Sequence, residues 1–231
     1  MKIVTWNILH PDHIYTENKY LEWDYRKNLI FEKLNTYDPD IICLQEVDAT
    51  LISEIEMEFK NYSLAYQNDK TRIKKLKKWL DGIDTKKPNT LVCTTLVKKS
   101  FGTITNVVVG SRNLTVIVNG KLKITNVHLE SGKNTTDIHI KHLEKLIDSD
   151  IICGDFNDFP DEPAIKFIEE KGFNNAYSLR KPLWTVKDEN ESFIVDYLFY
   201  KGKIEHVDWV NFQGISKDHP SDHSPIFAIF Q

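Results

Sequence analysis

Apolar residues recur along the chain with two different periods, and each period predicts a different kind of element. Short runs rich in β-branched and aromatic residues, or with apolar and polar positions in alternation, are typical of strands. They fall at residues 2–8, 40–44, 91–97, 103–109, 114–118, 122–129, 151–153, 193–200, 204–212 and 225–230. Apolar residues at helical spacing predict helices over residues 21–37, from 48 onward, and over 137–147 and 161–170. This mixture predicts an α/β protein.

One strand sequence occurs twice, as Asp40-Ile41-Ile42-Cys43 and as Asp150-Ile151-Ile152-Cys153. Each copy follows a strand and a helix, and each leads to a carboxylate, Glu46 or Asp155. The matched order of elements indicates two similar halves. If the halves pack sheet against sheet, their strand ends converge on one cleft. The predicted fold is therefore a two-sheet α/β sandwich with helices outside, not a single doubly wound sheet.

Polar side chains follow the strands at the points where they end. In the stretch 151–158 an apolar run stops at Gly154, and a turn with Asp155, Asn157 and Asp158 follows. A plain β-turn favours the same residue types, so this stretch alone leaves both interpretations open. The other strand ends favour a functional site, because loops at strand ends carry reactive groups on a rigid sheet. They offer Asn7, Glu46, His128, Asp196, Asp222 and His223.

Length, charge and cysteine content narrow the functional classes. The 231 residues are 41% hydrophobic, enough for one domain with a sizeable core. A net charge of -4 excludes attraction of nucleic acid by overall charge. Cys43, Cys93 and Cys153 lie within apolar runs, so we expect buried thiols and an intracellular, preferentially cytoplasmic, protein. Residues 1–7 lack the long apolar region of a signal peptide, and no apolar run approaches spanning length, so neither secretion nor membrane insertion is expected.

The stretch from Lys70 to Lys87 is strongly basic and contains Trp79 among eight lysine and arginine residues. One interpretation is a solvated helix face. The other is a segment that follows a phosphate backbone and offers an aromatic platform to a base. The sequence leaves both open.

The strand-end residues suit hydrolysis of a phosphodiester. That reaction requires an activated water, a cation beside the phosphoryl oxygens and stabilisation of the leaving oxygen. Glu46, Asn7 and Asp222 form an all-oxygen set with few carboxylates, which suits Mg²⁺, with Mn²⁺ as a substitute.

The remaining residues suit proton transfer and substrate contact. Asp196 can hold the ring of His223 in one tautomer, and Asp155 can orient and deprotonate the water. Asn157 can donate to a phosphoryl oxygen. We therefore expect activity to fall in acid, as Asp155 or His223 takes a proton.

Six ordered motifs resemble those of the endonuclease/exonuclease/phosphatase superfamily, also called DNase I-like. They are Trp6-Asn7, Leu44-Gln45-Glu46, Asn126-Val127-His128-Leu129, Gly154-Asp155-Phe156-Asn157, Asp196-Tyr197 and Ser221-Asp222-His223-Ser224-Pro225. The resemblance spans nearly the whole chain and implies a four-layered αββα sandwich and Mg²⁺-dependent phosphoester hydrolysis. It further implies that Glu46 and Asn7 lie at the metal, that Asp155 activates water, and that His128 contacts the phosphate or the leaving group.

The segments 20–26 and 37–48 look most like the deadenylase branch of this superfamily, which includes nocturnin, Angel proteins and 2′-phosphodiesterases. This similarity implies a 3′-5′ exoribonuclease that acts on RNA in preference to DNA. Trp184 or Phe193 is then expected to stack on the terminal base. We expect a monomer, with recruitment through its surface or through an adaptor protein.

Three other functions stay open at this point. They are a DNA-repair endonuclease or tyrosyl-DNA phosphodiesterase-like enzyme, a phosphatase acting on a nucleotide or small phosphoester, and a catalytically silent nucleic-acid-binding module. The last gains nothing from clustered carboxylates, which repel one another and a polyanion. His139, His142, His206 and His219 are expected to have structural roles.

Overall fold

The computed structural model describes residues 1–11, 22–68, 78, 91–132, 134–187, 191–209 and 215–231. Within these residues one sheet has six strands, of which β1 and β2 run parallel and the other neighbours antiparallel. In spatial order they are β13 (Ile204–Trp209), β14 (Ile226–Phe230), β1 (Lys2–Asn7), β2 (Ile41–Asp48), β4 (Leu91–Lys98) and β3 (Tyr62–Tyr66).

A second sheet repeats this plan, with β7 and β8 as its parallel pair. In spatial order its described strands are β5 (Ile104–Val109), β6 (Asn113–Val118), β7 (Leu122–His128), β8 (Ile151–Asp155), β12 (Asp196–Tyr200) and β9 (Asn174–Asn175). A small hairpin, β10 (Val186–Lys187) and β11 (Ser192–Phe193), stands apart from both sheets.

The two sheets face each other, and helices cover their outer faces. Apolar residues of both sheets form one core between them, including Cys43, Cys93 and Cys153. Helices α1 (Trp23–Tyr37) and α2 (Ile52–Glu58) pack on the outer face of the first sheet, and α3 (Thr136–Leu143) and α4 (Pro163–Glu170) on that of the second. The predicted four-layered αββα sandwich is confirmed, as is the burial of the three cysteines. Among the described helices none is both long and apolar enough to cross a membrane.

The repeated strand sequence has the same role in both halves. Asp40 directly precedes β2 and accepts from the backbone N–H of Lys2 through its side chain at 2.7 Å. Asp150 directly precedes β8 and accepts in the same way from the N–H of Lys123 at 2.8 Å. Each aspartate therefore anchors the start of a parallel strand on the strand that precedes it, and the predicted equivalence of the halves is confirmed at this point.

The structure departs from the predicted elements in a few places. The strand 151–153 was expected to stop at Gly154, but β8 continues through it. Glycine allows this close approach to β7, because a Cβ at this position would lie 2.1 Å from the carbonyl oxygen of Val127. The run 193–200 is broken, and Asp196 begins β12 instead of lying within a strand. Thr185 Oγ1 accepts from the N–H groups of Val195 and Asp196 at this break. Strand β3 was not predicted, and the basic stretch lies outside the described residues apart from Lys78.

Candidate active site

The parallel strands of the two sheets end at one place. Asn7, the last residue of β1, donates from Nδ2 to Glu46 Oε1 at 3.1 Å and to Asp155 Oδ2 at 3.0 Å. Glu46 belongs to the first sheet and Asp155 to the second. The expected convergence of the strand ends is therefore observed, with the Asn7 amide between two carboxylates.

Glu46 is brought to this place by a backbone irregularity. The pairing of β2 with β4 shifts register between Leu44 and Val47, and Glu46 has a φ of 57°. Its Oε2 accepts from the backbone N–H of His10 at 2.9 Å. Burial by itself raises the pKa of Glu46, but the neighbouring His128, the N–H of His10 and His223 outweigh it, so the pKa is lowered. Glu46 is thus held as a carboxylate.

Asp155 ends β8 and is buried. Its Oδ1 accepts from the backbone N–H of Asn157 at 2.9 Å, and its Oδ2 from Asn7. Burial raises its pKa, and the charge of Asp196, its partner in the β8–β12 pairing, adds to the effect. An aspartate in this environment is a stronger base than one in water.

His223 and Asp196 form a buried pair beside Asp155. His223 Nδ1 lies 2.9 Å from Asp196 Oδ2, and its Nε2 lies 3.9 Å from Asp155 Oδ2. Burial lowers the pKa of His223, but Asp196, Asp222 and Asp155 outweigh it and raise the pKa well above 6.5. His223 is therefore already protonated at neutral pH. Of the two groups expected to take up a proton in acid, Asp155 and His223, these surroundings favour Asp155.

Side chains of β1 fix the C-terminal segment that carries this histidine. Trp6 Nε1 donates to the carbonyl of His223 at 2.9 Å, and Ser221 Oγ donates to the carbonyl of Asn7 at 2.7 Å. Asp222 is half-buried, with Oδ1 3.4 Å from Ser221 Oγ. Its adjacent neighbour His223 faces Asp196, so the two side chains serve different partners, as expected.

His128, at the end of β7, faces both carboxylates from the other side. Its Nε2 lies 3.7 Å from Glu46 Oε1 and 3.7 Å from Asp155 Oδ2. Its side chain is 18% exposed, more than either carboxylate. An imidazole in this position can contact a substrate phosphate above the carboxylates.

The side chains of Asn7 and Asn157 differ from the expected geometry. Asn7 presents its N–H₂ group to the carboxylates, while its Oδ1 accepts from the N–H of Leu9 at 3.1 Å. Two neighbouring carboxylates require a donor between them, so Asn7 orients Glu46 and does not offer an oxygen ligand here. Asn157 donates one amide hydrogen to the carbonyl of Leu129 at 3.0 Å, and it can donate its second hydrogen to a phosphoryl oxygen.

The hairpin β10–β11 and a neighbouring loop bring aromatic rings to the rim. Trp184 is half-buried, with Lys187 Nζ 4.6 Å from its ring, and residues 185–187 bond to the backbone of residues 222–224. Phe193 packs on Phe159 with centroids 5.3 Å apart. Phe159 lies four residues beyond Asp155 and is 48% exposed. Sequence reasoning missed it, although an aromatic residue directly after the 154–158 turn is a usable signal.

Arg26 was also missed as a part of the site. It lies on α1, is completely buried, and donates to the carbonyls of Ile8, Leu9 and Pro220 at 2.7, 2.9 and 3.1 Å. Burial lowers its pKa to about 10, opposed by the charges of Asp222 and Glu46. Arg26 therefore joins the loop after Asn7 to the loop before Asp222.

Glu46 fits a hard divalent cation best among the carboxylates here. It is ionised, and its side chain is 14% exposed, so waters can complete a coordination shell. Asp155, Asp196 and His223 also each offer an atom within 4.8 Å of one another. However, Asp196 and His223 already satisfy each other, which suits proton transfer more than metal binding.

A family model described as "Endonuclease/Exonuclease/phosphatase family" matches residues 4–223. The chain belongs to this family. The membership confirms the resemblance seen in the motifs and, at the level of the family, the expected class of phosphoester hydrolases.

Two curated relatives share this family's deadenylase branch. The CCR4-Not complex 3′-5′-exoribonuclease subunit Ccr4 of Candida albicans is 22% identical over 94% of this chain and 38% of its own length. Nocturnin of Rattus norvegicus is 24% identical over 87% of this chain and 56% of its own length. The chain thus spans less than two thirds of the length of each of these relatives. The crystal structure of ANGEL2, a 2′,3′-cyclic phosphatase, has a TM-score of 0.75 at 17% identity, covering 98% of this chain and 94% of that one, and it confirms the fold.

Proposed function

We propose that this chain is a Mg²⁺-dependent phosphodiesterase, a 3′-5′ exoribonuclease of the deadenylase type, in which Asp155 activates the attacking water. The observation that carries the proposal is the convergence of Glu46 and Asp155 on His128, whose Nε2 lies 3.7 Å from an oxygen of each, beside the buried pair of His223 and Asp196. A purely structural protein has no reason to collect buried carboxylates at the mouth of two sheets.

The metal is held through Glu46 and assisted by Asp222, with Asn7 orienting the Glu46 carboxylate. A bound Mg²⁺ neutralises charge on the phosphoryl oxygens, and Mn²⁺ can take its place. Glu46 remains ionised because its pKa is lowered. The donors around it, from Asn7 and the backbone of His10, hold it in one orientation.

Asp155 takes the proton from the attacking water. Its raised pKa makes it an effective general base near neutral pH, and the backbone N–H of Asn157 holds its other oxygen in place. His223, kept protonated by Asp196, donates to a phosphoryl oxygen as negative charge grows there. His128 contacts the same phosphate from the opposite side and assists the leaving oxygen.

The names of the two relatives favour RNA as the substrate, because one is a 3′-5′-exoribonuclease and both match most of this chain. The rim rings at Trp184 and Phe193 offer apolar faces on which a terminal base can stack. An enzyme that reads the last base of a strand through stacking works from the end inward.

A panel of labelled oligo(A), mixed RNA, single-stranded DNA and a small phosphomonoester, incubated with Mg²⁺, tests the proposal. We expect oligo(A) to shorten stepwise from its 3′ end with release of nucleoside 5′-monophosphates. Intact RNA together with cleavage of DNA or of the small ester would overturn the substrate and leave the chemistry standing. If no member of the panel is cleaved, the chemistry itself is overturned. Glu46→Gln is the inactive control, and Glu56→Gln, at an exposed position of α2, is the matched active one.

A further inference from the structure

His139 lies behind the site on α3, completely buried, and both of its ring nitrogens are engaged. Nε2 lies 2.9 Å from the carbonyl oxygen of Glu130, and Nδ1 lies 2.6 Å from Asp158 Oδ2. A carbonyl oxygen only accepts, so Nε2 carries a hydrogen. An ionised carboxylate also only accepts, so with Asp158 ionised both nitrogens donate and the ring is an imidazolium.

The charges around the ring support that state. Burial lowers the pKa of His139, but the hydrogen bond and charge of Asp158 and the contribution of Glu130 raise it overall. Glu130 Oε2 lies 4.0 Å from His139 Nε2 and 4.0 Å from His142 Nδ1, and Arg112 Nε pairs with Glu130 Oε1 at 2.9 Å. On the other side, the Tyr197 hydroxyl donates to the backbone carbonyl of Asp158.

The two partners of His139 belong to the loops that carry the reactive groups. Glu130 follows His128 by two residues, and Asp158 follows Asp155 by three. The two loops are also joined directly, since the N–H of Leu129 donates to the carbonyl of Asp155 at 2.9 Å. Because the His139 side chain bonds to both loops, it limits how far one loop can move relative to the other.

We propose that His139 is a positioning residue for the reaction proposed above, one that sets His128 against Asp155 by tying the exits of β7 and β8 together through Glu130 and Asp158. The inference rests on that proposed function. A buried ion pair adds little net stability compared with apolar side chains of the same volume, so its use here is to define one loop arrangement. Displacement of a reacting group by about 1 Å costs roughly 10²-fold in rate.

Three variants separate positioning from stability. His139→Phe keeps a ring in the space, removes both donors and leaves the Asp158 carboxylate buried without its partner. His139→Phe with Asp158→Asn removes that buried charge as well, so the melting temperature recovers part of the loss while the tie stays broken. Asp158→Asn alone keeps the tie, because its amide can donate to Nδ1 of a neutral His139 whose Nε2–H still bonds Glu130. His206→Phe, at an exposed position of β13 in the other sheet, is the matched control, because it makes the same change away from both loops.

We expect kcat to fall about 10- to 100-fold in both variants that contain His139→Phe, with KM changed far less, and to stay close to wild type in Asp158→Asn and His206→Phe. Equal kcat in the double variant and in Asp158→Asn would overturn the positioning role while leaving the proposed function intact.

A wild-type chain that cleaves no phosphoester refutes the proposed function separately. In that case, amide chemical shifts of residues 128–130 and 154–158, measured in the same variants, report whether His139 joins the two loops. Shifts in both loops with His139→Phe, and not with His206→Phe, support the tie, and unchanged loops overturn it.

Discussion

The two halves of the sandwich begin their site-bearing strands alike and end them differently. Asp40 and Asp150 anchor β2 and β8 through the same hydrogen bond to a preceding strand. At the far end β2 bulges and turns Glu46 toward the cleft, whereas β8 runs regularly to Asp155. One scaffold, used twice, therefore presents two carboxylates in two different environments.

These environments move the two pKa values in opposite directions. Glu46 is partly exposed and surrounded by donors and histidines, and its pKa is lowered. Asp155 is buried next to Asp196, and its pKa is raised. A pair of carboxylates whose pKa values are driven apart is typical of sites in which one binds charge and the other transfers a proton. This difference supports the proposal that the first half holds the cation and the second half supplies the base.

Glu46→Gln gives the largest effect. It removes the charge that the cation requires and preserves the shape, so we expect turnover to fall roughly 10³-fold or more. Titration with Mn²⁺, followed by electron paramagnetic resonance, checks the cause and should show lost binding with an unchanged circular dichroism spectrum. Full turnover in this variant would remove Glu46 from the mechanism.

Arg26 tests how strongly the first half depends on a fixed charge on its helix. Arg26→Met leaves the carbonyls of Ile8, Leu9 and Pro220 without this donor and removes one positive charge near Asp222 and Glu46. We expect a loss of roughly 3–5 kcal/mol in the free energy of unfolding, measured by urea denaturation. A loss below about 1 kcal/mol would show that the guanidinium is not needed to join these loops.

The pH profile tests the second half. The pKa of Asp155 lies above the ordinary aspartate value of 3.8, so kcat should fall as the pH decreases through that raised pKa and the base becomes protonated. His223 has a raised pKa and should limit the rate only on the alkaline side, where it loses its proton. The residual activity of Asp155→Asn should lack the acid limb. A wild-type profile without an acid limb contradicts the role of Asp155, and one without an alkaline limb contradicts that of His223.

The smallest expected effect concerns the hydrogen bond that both halves make at the start of a parallel strand. Asp40→Ala and Asp150→Ala each remove one hydrogen bond to a backbone N–H at a half-buried position, which we expect to cost about 1 kcal/mol apiece. Because the two sites lie in different sheets, the losses should add in the double variant. Clearly unequal losses, measured by urea denaturation, would argue against equivalent anchors.

Most of the fold could be predicted because its signals are local. Alternation, apolar runs and helical spacing depend on neighbouring residues, and they located β1, α1, β2, β7, β8 and α4 within a few positions. Predictions failed where a distant group decides. Strand β8 continues through Gly154 because a residue without a Cβ leaves room for the backbone of Val127. The break before Asp196 depends on the hydroxyl of Thr185.

The sequence by itself determined the repeated strand, the family motifs and the residue types that meet at the site. The tertiary structure alone decided that the Asn7 amide lies between Glu46 and Asp155, the latter 148 residues away, and that His139 and Arg26 support the loops from opposite halves. The physical reason is that hydrogen bonds and pKa values depend on which groups are nearby in space and how much water remains around them. Neither can be read from the order of residues along a chain.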